Sequence, residues 1–133
     1  MTITRHIFLS FSHQDLDQVI LFRGQAKNEN SLLNFDDYSV KEAFNSRNAE
    51  YIKRQIREKI RRCSITIVFL TIHSASSEWV EWEVSESLKQ GKNVFAVMPQ
   101  GEKISLQYAK PILRYLDVVP WNHRAIMDKI NRL

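Results

Sequence analysis

Glu83 stands four positions after Trp79 in the run Ser77, Glu78, Trp79, Val80, Glu81, Trp82, Glu83. In an α-helix that spacing puts the carboxylate one turn beyond the indole, on the same face. The face flanks an apolar stripe predicted from Val80, Val84 and Leu88, so Glu83 can lie at the rim of a crevice. There it would sit beside an aromatic ring and a strand end. The plainer alternative is a surface glutamate in a helix that carries several. Two histidines, His13 and His73, fall at neighbouring strand ends and could meet as metal ligands or as an acid and a base. Neither belongs to a ligand motif, and capping or surface roles are the favoured reading for both. No metal site is expected.

Those residues need a scaffold that brings strand ends together. Ser64 to Thr71 is a run of β-branched and apolar residues, predicted as a strand buried on both faces. The polar turn His73 to Ser77 follows, then a helix from Glu78 to Gln90 closed by Gly91. Arg5 to Phe11 reads as an equally buried first strand. Ser12 and Asp15 form an S-x-x-D capping signature, so a helix is predicted from about Gln14, with Leu16, Val19, Ile20, Phe22 and Ala26 on its apolar side. Asn28 to Ser31 reads as a loop and Leu32 to Phe35 as a second strand ended by Asp36 to Ser39. Val40 to Arg47 is expected to be a mobile loop with room for a short helical turn. Asn48 to Arg62 is the clearest helix, buried through Ile52, Ile56 and Ile60. Its basic face (Lys53, Arg54, Arg57, Lys59, Arg61, Arg62) reads as solvated, because no aromatics interleave with the cations as a nucleic-acid platform requires. A strand at Asn93 to Met98, a short helix near Pro111, a strand at Asp117 to Val119 and a helix capped by Asn122, carrying Ile126, Ile130 and Leu133, complete the pattern.

Such alternation implies an α/β fold of three layers: a five-stranded parallel sheet, flavodoxin-like in its order 2-1-3-4-5, with helices on both faces. The winding then reverses between the first and third strands. The crevice there would be lined by Ser10, Phe11, Ser12 and His13 on one side and by His73 to Ser77 on the other. The 133 residues suit one domain, and 44% apolar residues suffice for its core. A net charge of +4 permits an anionic ligand without requiring one. No apolar run is long enough for a membrane span and no signal-peptide pattern opens the chain. Cys63 is the only cysteine, so a reducing, cytoplasmic setting is expected. Dinucleotide, P-loop and nucleophile-elbow motifs are absent. A phosphorelay receiver would want an aspartate at the end of the third strand, where Leu70, Thr71, Ile72 and His73 stand.

Two ordered motifs carry a family resemblance. Phe8, Leu9, Ser10, Phe11 and Ser12, with Asp15 following, resemble the first strand and turn of the TIR superfamily; Ser77 to Glu83 resembles its Ser-x-Trp-x-x-x-Glu signature. The chain is most similar to the small TIR-like ThsB proteins of the bacterial Thoeris anti-phage system, as far as about Pro99. The resemblance implies NAD⁺ as substrate with no separate cofactor, cleavage between ribose and nicotinamide, and an ADP-ribose-derived signal that activates a separate effector protein. It implies Glu83 as the catalytic residue. Nicotinamide leaves as a neutral pyridine, so no acid need protonate it, and one carboxylate beside an oxocarbenium-like ribose suffices. Ser10 and the turn around Ser12 would hold ribose or phosphate, and Phe11 and Trp79 would flank a ring. His13, Asp36, Ser74 and Ser77 would complete the substrate-binding set. Self-association through TIR surfaces and a phage component as trigger are further implications; no membrane is expected and a nucleic-acid partner is disfavoured. The departures are Val80, where many members have cysteine, and Asp36 to Ser39, where many have Pro-Gly. The alternative function is a non-catalytic TIR-type interaction module.

Overall fold

Side-chain parity along the inner strands decides which helix covers which face. The computed structural model describes residues 5–28, 33–37, 43–102 and 104–133, with residues 28 and 106 by backbone alone. Its strands are β1 (Arg5–Ser10), β2 (Leu33–Asp36), β3 (Ile65–Phe69), β4 (Asn93–Met98) and β5 (Val118–Pro120). All pair in parallel, in the order β2-β1-β3-β4-β5, as the alternating pattern predicts. Ile7, Leu9, Ile65, Ile67, Phe69, Phe95 and Val97 point to one face. They pack there against Val19, Phe22 and Ala26 of α1 (Leu16–Asn28) and Ile126 and Ile130 of α5 (His123–Asn131). The other parity takes the other face. Phe8 meets Ile52, Ile56 and Ile60 of α2 (Ala49–Arg62), and Val68 and Ala96 meet Val80 and Val84 of α4 (Glu78–Lys89). Each buried aliphatic or aromatic side chain contributes roughly 1.5–3 kcal/mol, so the inner strands and the helices packed on them share the core's stabilisation.

Several boundaries differ from the sequence reading, each for a local reason. A 3-10 turn, His13–Asp15, precedes α1, with the Ser12 hydroxyl accepting from the Gln14 amide at 3.4 Å. On α1 the buried positions are Val19, Phe22 and Ala26, while Ile20 is 58% exposed, since it lies off that 3-4 spacing. The turn after β3 contains a one-turn helix, α3 (Ile72–Ala75). Thr71 makes it possible: its hydroxyl accepts from the His73 and Ser74 amides while the Ser74 hydroxyl accepts from the Thr71 amide. On α4 the buried line passes from Val84 to Ser87, which is 0% exposed and bonds to Thr66 of β3, so Leu88, beside that line on the helix, is left 47% exposed. The region near Pro111 is 3-10, Pro111–Tyr115. β5 includes Pro120, tolerated on this edge strand because the amide that bonds to β4 here is that of Trp121, which donates to the Met98 carbonyl at 3.0 Å. Leu133 is exposed. The expected starting residue of β2, Leu32, lies outside the described residues, as do residues 29–31 and 38–42 of the predicted loops; residues 43–48 form turns leading into α2. Among the described residues no helix is long and apolar enough to cross a membrane.

Cys63, just past α2, is buried, and burial pushes its thiol up to about 11. The neutral thiol is thus favoured in the folded chain. The unfolded chain loses this proton first as pH rises past its ordinary value of 9.0. The contribution to stability is therefore complete below that pH and is lost on the way to about 11. Chemical denaturation across this range is expected to show a decline that Cys63→Ala lacks, and the native thiol should resist aromatic disulfide reagents at neutral pH.

Candidate active site

The carboxyl ends of β1 and β3 lie side by side, with Ser10 paired to Val68. Ser10 shares the parity of Phe8 and so faces the α2–α4 side, where the sheet's winding reverses. Glu83 projects from α4 to this point. The Ser10 hydroxyl donates to Glu83 Oε1 at 2.7 Å, and both residues are 0% exposed. A hydrogen bond in so dry a place is stronger than its surface equivalent. The carboxylate therefore points inward to the strand end, away from bulk water.

The helix turn bearing Glu83 is itself anchored. The Ser87 hydroxyl donates to the Glu83 carbonyl at 2.7 Å and lies 2.7 Å from the Thr66 hydroxyl on β3. Two buried hydroxyls thus tie α4 to the middle of the sheet, one turn below the carboxylate. Glu86, also buried, accepts from Arg57 Nε at 3.1 Å and links α4 to α2. The sequence signal for this anchoring is small: a threonine inside an apolar strand, and a serine at i+4 from Glu83.

Asp15 is the residue that pattern reading assigned too simply. Its carboxylate is buried and accepts from the Thr71 hydroxyl at 2.5 Å, joining the loop after β1 to the loop after β3 across the switch point. Thr71 caps α3 with the same oxygen. Thr71→Val is expected to cost about 2–4 kcal/mol, because it removes a cap and strands a buried carboxylate. Thr71→Ser should recover most of that in urea denaturation.

The other predicted site residues divide. Ser12 is half-buried and His13 exposed in the turn after β1. Ser77 caps α4, accepting from the Val80 amide at 3.2 Å. Ser74 is fully buried and its hydroxyl donates to the Phe69 carbonyl at 2.8 Å, so its bonding capacity goes to holding the turn. Phe11 is buried among the α1-side core residues and offers no ring to a crevice in this conformation. Trp79 is also a core residue, packed edge-on against Phe44 (centroids 4.9 Å apart) and Trp82 (6.2 Å) and grouped with Phe8 and Ile56. Asp36, opposite Phe8 on β2, pairs with Lys59 of α2 at 2.8 Å. His73 is exposed, and among the described residues no three His, Cys, Asp or Glu side chains gather as metal ligands. On α2, Arg61 and Arg62 pair with Glu58, Lys53 with Glu50, and Lys53 also lies 4.5 Å from the centre of the Phe44 ring. Carboxylates and an aromatic ring of the protein itself therefore engage much of that basic face.

Comparison with known proteins agrees with this architecture. The family described as Thoeris protein ThsB, TIR-like domain, matches residues 8–104. That span contains β1 to β4, Ser10 and Glu83. No curated protein sequence matches the chain. Among solved structures the backbone is similar to a 2-desoxiribosyltransferase from Leishmania mexicana, with TM-score 0.62 and 13% identity, over 96% of this chain and 97% of that one. It is also similar to the Clostridium botulinum CMP N-glycosidase BcmB, with TM-score 0.51 and 13% identity over 96% and 99% of the two chains. A 2-deoxyribosyltransferase from Bacillus psychrosaccharolyticus gives TM-score 0.54 and 20% identity over 77% and 79%. At these identities the likeness is one of fold.

Proposed function

The chain belongs to the Thoeris ThsB TIR-like family, and from that premise we propose that it cleaves NAD⁺ between ribose and nicotinamide to make an ADP-ribose-derived signal in anti-phage defence. The observation that carries the reading is the Glu83 carboxylate, dry and held at 2.7 Å by Ser10 at the topological switch point. A structural glutamate gains nothing from such a place that glutamine would not supply. A carboxylate that must steady positive charge gains a great deal, since a low-dielectric setting strengthens its field.

In this mechanism the ribose C1′–nitrogen bond breaks and nicotinamide departs with the electron pair as a neutral molecule. The positive charge left on the ribose is matched by Glu83. Water, or an internal hydroxyl of the ADP-ribose, then adds to C1′ and releases its proton to solvent. Ser10 fixes one carboxylate oxygen, while Ser87 and Thr66 fix the helix turn, so reorganisation is small at the moment of reaction. The carboxylate is enclosed in this conformation, so the ribose reaches it only when the covering side chains part. Self-association or a phage-derived trigger would supply that step, and a separate effector would read the product.

The same enclosure favours a second reading, a non-catalytic interaction module in which Glu83 only ties α4 to β1. Incubation with NAD⁺ over a range of protein concentrations, with and without infected-cell extract, separates the two by mass spectrometry. Nicotinamide with an ADP-ribose-derived nucleotide is the expected result. No turnover in any of these states would leave the interaction module as the function.

A further inference from the structure

A second concavity lies at the carboxyl edge, beyond α3. It encloses about 300 Å³ and is lined by Ile72, Ala75, Ser76, Ile104, Ser105 and Tyr108. Two bonds between segments hold its walls in place. Glu102 Oε1, from the loop after β4, accepts from the Ile72 amide at 2.7 Å, and the Ala75 carbonyl accepts from the Lys110 amide at 2.8 Å. The groove is thus framed before any ligand arrives. Its rims are two large side chains in water, Ile72 at 64% and Tyr108 at 78% exposed. Among the described residues none of the lining side chains is charged, and their polar groups are the serine and tyrosine hydroxyls.

We infer that this groove seats a planar, uncharged heteroaromatic ring, and that the ring is the adenine of the substrate or product nucleotide. Its volume lies at the low end for small-molecule pockets, which fits one ring system and not a whole dinucleotide. The apolar walls and the tyrosine ring suit the flat face of a base, and the hydroxyls of Ser76 and Ser105 suit its polar edge. The loop after β3 is a shared wall: Thr71 faces the switch point through Asp15, while Ile72, Ala75 and Ser76 face this groove. A nucleotide draped over that loop could therefore place its sugar at one site and its base at the other. The choice of adenine rests on the NAD⁺ reading; the choice of a flat neutral ring rests on the groove alone.

Nuclear magnetic resonance of the full chain tests this with adenosine, ADP-ribose and ribose 5-phosphate as probes. Adenosine and ADP-ribose should shift the Ile72 and Ile104 methyl and Tyr108 ring signals, and ribose 5-phosphate should leave them in place. Tyr108→Ala should weaken adenosine about tenfold or more, and Tyr108→Phe should bind within about twofold of the parent, a difference that aromatic stacking can supply. Both substitutions lie at an exposed side chain, so the fold should persist by circular dichroism. Unmoved signals with adenosine, or equal binding by Tyr108→Ala, would overturn the inference. Adenosine binding by Glu83→Gln keeps the two readings apart. Should that variant still cleave NAD⁺, the catalytic assignment falls while the groove stands on its own shifts; should it lose turnover with the groove silent, only the groove falls.

Discussion

Glu83→Gln is expected to lower NAD⁺ cleavage by about 10²–10³-fold, the loss typical of removing one preorganised electrostatic partner from an active site. The substitution keeps shape: the amide oxygen can still accept from the Ser10 hydroxyl, now 2.7 Å from Glu83 Oε1. It removes a charge that is costly to hold in a fully enclosed position. Thermal stability should therefore stay level or rise. Lost turnover with undiminished stability is the signature of a site maintained for function at some cost to the fold. Product analysis and a melting curve on the same preparation read both halves. A Gln variant that cleaves NAD⁺ at the parent rate would remove Glu83 from the mechanism.

Trp79→Ala should instead act on the fold, losing about 3–5 kcal/mol, as large-to-small changes of buried aromatics do. For a domain of this size that lowers Tm by on the order of 10–20 °C. The reason is position. The indole packs edge-on against Phe44 and Trp82 and shares a cluster with Phe8, Ala49, Ile52, Ile56 and Ile60, joining α2, α4 and β1. Edge-on aromatic pairs add to the burial itself. Trp79→Phe should keep much of the packing and most of the stability. A Trp79→Ala protein that melts near the parent and fails only in turnover would restore the indole to the role of a ring that flanks substrate.

These contrasting outcomes, from two residues one helical turn apart, mark where pattern reading stopped. Both motifs were visible, and so were the buried strands that had to carry them, because β-branched runs between polar breaks are a local property of the chain. The family assignment rested on the same residues and agrees with the match over 8–104. Spacing alone placed Trp79 and Glu83 on one face, but not the depth of that face. Depth depends on how α2 and α4 lean together over Phe8, which no single segment encodes. Phe11 shows the same limit: its turn lies at the crevice, yet parity sends its ring into the α1 side of the core. Asp15 read as a capping residue because local grammar offers that role; its partner, Thr71, lies 56 residues away.

From the sequence by itself followed the strands, the longer helices, the parallel order, and one carboxylate singled out by its motif. Each depends on periodicity and local chemistry, which are written along the chain. Tertiary structure alone decided that this carboxylate is enclosed and bound to Ser10, that the nearby aromatics serve the core, and that a neutral groove stands beyond α3. Burial and hydrogen-bond partners arise only when distant segments meet, and those are the quantities that separate a surface glutamate from a reactive one.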